Sequence, residues 1–187
     1  KINLRRMAKL VNVLCDLQNS GIDIVLVTSG AIGVGVGKLG LSEKPKDTPG
    51  RQAAATVGQC ELMFIYDKFF SEYGHKIGQL LITKSDIEND ERRVNLENTF
   101  QRLFEFNAIP IVNENDSVAV EEIVYGDNDS LSAIVAKLVK ADALVILSDI
   151  DGLYNGNPKE DLDAQLIPVV SKIDESILAL CGAAGSN

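Results

Sequence analysis

Four short apolar runs rich in β-branched residues constrain this chain most: 23–28 (Asp-Ile-Val-Leu-Val-Thr), 76–83, 108–112 and 143–147. Nearly continuous apolar character over so few residues is the pattern of a strand buried on both faces, as in parallel sheets. Between the runs, apolar residues recur at helical spacing. Leu4, Met7, Ala8, Val11, Leu14 and Cys15 predict an amphipathic helix over 4–19, ended near Gly21. Pro45 and Pro49 mark a loop, and helical patterns follow over 51–72, with Ala54, Val57, Leu62 and Ile65 on the inner face, and over 92–106, 130–139 and 174–180. Residues 118–125 read as a short excursion or hairpin, and Asn157-Pro158 as a turn. Strand and helix in alternation predict an α/β fold with a mainly parallel sheet. At 187 residues, with no internal repeat, low-complexity tract or linker, the expectation is one domain.

Composition narrows the chemistry. Twenty-seven acidic against 18 basic residues give a net charge of −9, which argues against nucleic acid as a partner. No apolar run approaches the length of a membrane-spanning helix, so no membrane association is expected. Cys15, Cys60 and Cys181 are widely spaced in apolar helical stretches and read as reduced, buried cysteines of a cytoplasmic protein. His75 is the sole histidine, which excludes a His-rich zinc site. It reads as the lead-in to a strand rather than as a triad member. What is left is chemistry by carboxylates, amides, hydroxyls, glycines and lysines, and no metal-ligating residues are assigned.

In open α/β sheets, ligands bind beyond the carboxyl ends of the strands, and here those ends are unusually small or polar. Ser29-Gly30-Ala31-Ile32-Gly33 offers backbone amides to an anion; the bland alternative is a tight turn. The match of residues 35–40 to Gly-x-Gly-x-x-Gly is discounted, because it lies past the strand end and prolines follow where a helix is needed. Leu39 likewise excludes a Walker A loop. Asn113-Glu114-Asn115-Asp116 places two carboxylates and two amides after a strand, a set able to grip a small zwitterion. Gly126-Asp127-Asn128-Asp129-Ser130 exceeds what capping the next helix requires. Ser148-Asp149-Ile150-Asp151-Gly152-Leu153-Tyr154 reads equally as a nucleotide or metal site and as a hairpin turn.

Val27–Ile32, Gly58-Gln59, Ile111–Asp116, Gly126–Ala133 and Ser148–Tyr154 together resemble, in order and approximate spacing, the amino acid kinase family. The resemblance covers essentially the whole chain, and the Asn-Glu-Asn-Asp and Gly-Asp-Asn-Asp pair is its most specific part. It is closest to the members that act on L-glutamate rather than on acetylglutamate, aspartate, carbamate or uridylate. It implies a three-layer αβα sandwich. The implied activity is ATP-dependent phosphorylation of the side-chain carboxylate of L-glutamate to L-glutamyl 5-phosphate, the first step towards proline. By match it implies Ser29, Gly30, Ala31, Asp116 and Asn128 as substrate-binding residues and Asp129 as the catalytic carboxylate that orients lysines. It places Ser148, Asp149, Asp151, Gly152 and Tyr154 on ATP. Mg²⁺ is implied as cofactor, L-proline as feedback inhibitor, and a homodimer or homotetramer as the assembly.

The family also carries a Lys-x-Gly-Ser strand ahead of the first helix and a Gly-Thr-Gly-Gly-Met loop with a second lysine further on. Neither is in this sequence, so a partial domain, incomplete at both ends, is expected over residues 1–187. Two alternatives stand beside the kinase: a non-catalytic glutamate- or proline-binding fragment, and an enzyme of the same fold acting on another acidic substrate.

Overall fold

The computed structural model describes residues 2–118, 128–161 and 163–182. They fall into two compact units, Lys1–Leu144 and Val145–Asn187.

The first unit is α/β. Helix α1 (Leu4–Asn19) leads to strand β1 (Leu26–Val27), and helices α2 (Ala31–Leu39) and α3 (Thr48–Glu72) follow. Strand β2 (Lys76–Ile82), helices α4 (Lys84–Glu88) and α5 (Asp90–Glu105), strand β3 (Ala108–Glu114) and helix α6 (Asn128–Leu138) complete it. Among the described residues the strands form one parallel sheet in the order β1-β3-β2. Strand β3 is central, and its alternating side chains divide the core. Ile109 and Ile111 pack with Val11, Cys15, Leu62, Tyr66 and Phe70 from α1 and α3. Val112 on the opposite face joins Leu80, Ile82, Phe100 of α5 and Val135 of α6. Helices therefore cover both faces of the sheet, the layering that the resemblance implied.

Four expectations about the elements are corrected. Residues 23–28 form a strand only at Leu26–Val27, the two residues in register with Ile111 and Val112 of β3. The glycine-rich stretch after Ser29 is helical, not loop: α2 runs from Ala31 to Leu39 and stops at Gly40 in the left-handed region (φ 67°). Pro49 sits in the first turn of α3, where its missing N–H leaves no helical bond unmade. The run 143–147 is not a strand. Among the described residues nothing takes its backbone hydrogen bonds, and Val145 and Leu147 are 77% and 74% exposed. Apolar, β-branched sequence makes a strand only beside a partner edge. The expected excursion over 118–125 lies almost wholly outside the described residues.

The second unit has its own local order. Tyr154 and Leu166 form an antiparallel bridge, flanked by Asn155 N–H to Gln165 C=O (3.0 Å) and Ile167 N–H to Leu153 C=O (2.7 Å). Asn157 closes the expected turn, accepting from the Lys159 N–H through its side chain (3.1 Å) and from the Asp161 N–H through its carbonyl (2.8 Å). Helix α7 (Glu175–Gly182) is capped by Asp174, whose carboxylate accepts from the Ser176 and Ile177 N–H groups. No helix among the described residues is long and apolar enough to cross a membrane.

Cysteine burial also needs correction. Cys15 is buried and its thiol is pushed up by desolvation, with Asp16 adding to the shift, but Cys60 is exposed on α3. His75 is buried just ahead of β2, as a strand lead-in, and its Nε2 lacks a partner among the described residues.

Candidate active site

Parallel pairing of β1 with β3 brings the ends of two polar strands side by side. Leu26 pairs with Ile111 and Val27 with Val112, and the Thr28 N–H adds one more bond to the Val112 carbonyl (2.9 Å). The next rung of a parallel ladder would run from the Glu114 N–H to the Thr28 carbonyl. Side-chain amides replace it. The Glu114 N–H donates to Asn113 Oδ1 (2.9 Å), and the Thr28 carbonyl accepts from Asn128 Nδ2 at the start of α6. The same Nδ2 also donates to Asn113 Oδ1 (2.9 Å), and Asn113 Nδ2 donates to Gln59 Oε1 on α3 (2.8 Å). Asn113 shares the alternating face of Ile109 and Ile111, the face toward α3, so the strand's pleat explains why it meets Gln59. Asn113 is 2% exposed and Gln59 8%, so these amides are held among apolar side chains where hydrogen bonds are costly to lose. Beside them Thr28 Oγ1 and Tyr66 Oη share a hydrogen bond at 3.0 Å.

Helix α2 starts directly past Thr28. Gly30 is its N-cap at φ 90°, a left-handed conformation that suits glycine, and no side chain caps the helix. The first N–H groups of α2 therefore have no side-chain cap and are of the kind that can donate to an anion. Ser29 and Gly30 are exposed there and Ala31 is buried. Helix α3 fixes this turn by close approach, since a Cβ on Gly58 would lie 1.7 Å from the Ala31 carbonyl oxygen.

The carboxylates past β3 feel the same enclosure. Burial pushes the Glu114 carboxyl up from 4.5 to about 7, with the charge of Asp116 adding to the effect. Asp116 is also raised by burial, partly offset by the Lys44 ammonium. Because folding raises the Glu114 carboxyl, the folded chain holds its proton more tightly than the unfolded one. The resulting stability is full below pH 4.5 and is lost as pH rises through about 7. We expect the melting temperature to fall between pH 5 and 8, and Glu114→Gln to flatten that fall, as read by thermal denaturation at the two pH values. A pH dependence identical in wild type and variant would refute it.

The structure thus brings together Ser29, Gly30, Ala31 and Asn128 around Thr28, and places Asp116 two residues past β3. Asp129 is exposed in the first turn of α6. The remaining predicted positions belong to the second unit. Ser148 Oγ donates to Asp149 Oδ1 (3.4 Å), and Asp149 pairs with Lys159 at 3.3 Å. Lys159, through its hydrogen bond and then its charge, holds the Asp149 carboxyl below its ordinary value. Asp151 and Gly152 are exposed, and Tyr154 is half-buried at its bridge to Leu166. Two carboxylates, a hydroxyl and an ammonium in one loop fit the hydroxyls and phosphates of a nucleotide. Sequence reasoning did not assign Gln59, Thr28 or Tyr66. Thr28 and Gln59 lie in the segments that carry the family resemblance but are given no role by it, and Tyr66 is signalled only by a polar hydroxyl on an otherwise apolar helical face.

A model of the amino acid kinase family matches residues 2–178. The chain belongs to that family. It is 52% identical over 185 residues to a glutamate 5-kinase of Clostridium acetobutylicum, covering 99% of this chain and 69% of that protein. A glutamate 5-kinase of Clostridium tetani is 54% identical over 186 residues, covering 100% and 70%. One from Moorella thermoacetica is 53% identical over 186 residues, covering 100% of this chain and 49% of its own length. The family match extends over both compact units, so Ser148–Tyr154 falls inside the matched residues of this amino acid kinase.

Proposed function

We propose that the chain serves ATP-dependent phosphorylation of the side-chain carboxylate of L-glutamate, giving L-glutamyl 5-phosphate. The observation that carries this reading is the amide cluster at the joined ends of β1 and β3, beside an uncapped helix N-terminus. Its support is the name shared by relatives more than half identical to this chain. The substrate is a zwitterion with a second carboxylate, and the strand ends offer a complementary set. Ser29 and the first N–H groups of α2 (Gly30, Ala31) suit a carboxylate, while Asp116 and the Asn128 carbonyl suit the ammonium.

In the transfer, a side-chain carboxylate oxygen bonds to the terminal phosphorus of ATP as the bond to the leaving ADP breaks. ATP would supply the phosphoryl group, and Mg²⁺, when bound, would supply neutralisation of the phosphate charge. Ser148, Asp149, Asp151, Gly152 and Tyr154 would hold the nucleotide. The protein's own task is alignment, which needs no His or Cys nucleophile. Asp129, at the start of α6 next to Asn128, is suited to orienting lysine ammonium groups at the transfer centre. L-Proline is proposed as a competing ligand of the glutamate site, the assembly as a homodimer or homotetramer, and the location as the cytoplasm.

The test is calorimetric titration with L-glutamate, with D-glutamate as control. Asp116→Ala should weaken L-glutamate binding by about 1.5–3 kcal/mol, the usual worth of a charged hydrogen bond. Wild-type affinity in that variant would exclude Asp116 from the substrate site.

A further inference from the structure

The polarity of the buried amide chain is set by backbone at both ends. A backbone N–H can only donate, so the Asn113 atom that meets the Glu114 N–H must be its carbonyl oxygen. Asn113 Nδ2 then faces Gln59, which must present Oε1 to it. A backbone carbonyl can only accept, so the Asn128 atom on Thr28 must be Nδ2. That nitrogen has two protons, and the Thr28 carbonyl and Asn113 Oδ1 take both. The remaining hydrogen-bonding capacity of Asn128 is the acceptor Oδ1. One more observation shows what completes this order: Gln59 Nε2 is buried and has no partner among the described residues. A glutamine that turned over would place its amide nitrogen against Asn113 Nδ2, donor against donor. Gln59 therefore presents Oε1 and leaves its own amide nitrogen without a partner among the described residues, a destabilising arrangement for a buried donor.

We propose that Gln59 is a positioning residue for substrate: acting through Asn113, it locks Asn128 so that a carbonyl oxygen, not an amide N–H, meets the substrate's ammonium. This rests on the glutamate reading above, and it extends that reading to a helix that supplies no direct contact. It also accounts for a glutamine on the face of α3 that otherwise buries Ala54, Ala55, Leu62, Tyr66 and Phe70. Without Gln59, Asn113 would be held by the Glu114 N–H alone, a single bond that its amide can exchange for water. When it swings away, Asn128 keeps only the Thr28 carbonyl, and its Oδ1 is no longer held rigidly toward the ammonium.

The experiment combines two readouts on the full chain. Solvent exchange of the Asn128 side-chain amide protons, followed by ¹⁵N–¹H spectroscopy, reports the lock without any ligand. Titration with L-glutamate reports its consequence. Gln59→Met has similar length and no acceptor; it should speed Asn128 amide exchange and weaken L-glutamate binding, each about tenfold, as expected for one lost hydrogen bond. Gln59→Glu keeps an acceptor for Asn113 and should leave the Asn128 amide as protected as in wild type. Unchanged exchange in Gln59→Met, or exchange in Gln59→Glu as fast as in Gln59→Met, would overturn the relay. Faster exchange with unaltered L-glutamate affinity would overturn its role toward substrate. If the wild type binds no L-glutamate while the exchange pattern holds, the substrate reading fails and the relay between Gln59 and Asn128 stands.

Discussion

Gly58→Ala should destabilise the chain by about 3 kcal/mol or more and abolish L-glutamate binding with it, although it adds one methyl group to a helix. The cost comes from what the methyl meets. A Cβ at Gly58 would lie 1.7 Å from the Ala31 carbonyl oxygen and 2.5 Å from the Gly35 nitrogen. Both are backbone atoms, so no rotamer change relieves the clash and α2 must move bodily away from α3. Overpacking of this kind ordinarily costs ~1–3 kcal/mol when side chains can adjust, and here they cannot. The reciprocal contact makes the same point: a Cβ on Gly35 would lie 1.7 Å from the Ala54 carbonyl oxygen. Moving α2 also displaces its first N–H groups, which the proposed function assigns to a substrate carboxylate. The control is Gly37→Ala on the exposed side of the same helix, where a Cβ meets nothing within 4 Å. It should instead stabilise by about 0.5–1 kcal/mol, because alanine loses less backbone entropy on folding. Chemical denaturation of both variants decides the matter. A Gly58→Ala chain as stable as wild type would mean that the two helices do not cross this closely.

The same contact explains why α2 was not legible in the sequence. Glycines at 33, 35 and 37 lower intrinsic helix propensity by about 1 kcal/mol each, and that local cost favours reading a loop. Tertiary packing reverses it, because Gly35 and Gly58 together allow two backbones to touch. The inner face of α3 was half legible for a related reason. Ala54 and Leu62 are buried as their spacing predicts, and Tyr66 and Phe70 continue that stripe at i+4 spacing, but Val57 and Ile65 are only half-buried, and Gly58 and Gln59 are buried where apolar periodicity does not score them. The strands β2 and β3 were legible because each has partner edges to match its apolar run. The run 143–147 carries the same composition without one among the described residues, and composition alone cannot show whether an edge is there. For the site, polar residues at strand ends pointed to Ser29, Asn113, Asp116 and Asn128. Gln59 was outside that signal, because it reaches Asn113 from a helix 54 residues away in sequence.

Phe70→Ala is the second large effect, and it separates fold from site. Phe70 is wholly buried in the core of α1, α3 and β3, its ring centroid 6.4 Å from that of Tyr66. Removing the ring leaves a cavity that its helical and strand neighbours cannot close, so a loss of about 3–5 kcal/mol is expected in chemical denaturation. Yet Phe70 lies eleven residues along α3 from Gln59, about 16 Å at the helical rise. At that separation the two contribute nearly independently, linked only through Tyr66, which packs on Phe70 and bonds Thr28. Below the melting temperature, L-glutamate affinity and protection of the Asn128 amide should therefore stay within about threefold of wild type. Gly58→Ala, adjacent to Gln59 and against α2, should lose both at once. A Phe70→Ala chain that stays folded but no longer binds L-glutamate would show that α3 transmits its far end's packing to Gln59. The site would then depend on the whole helix rather than on the crossing at Gly58.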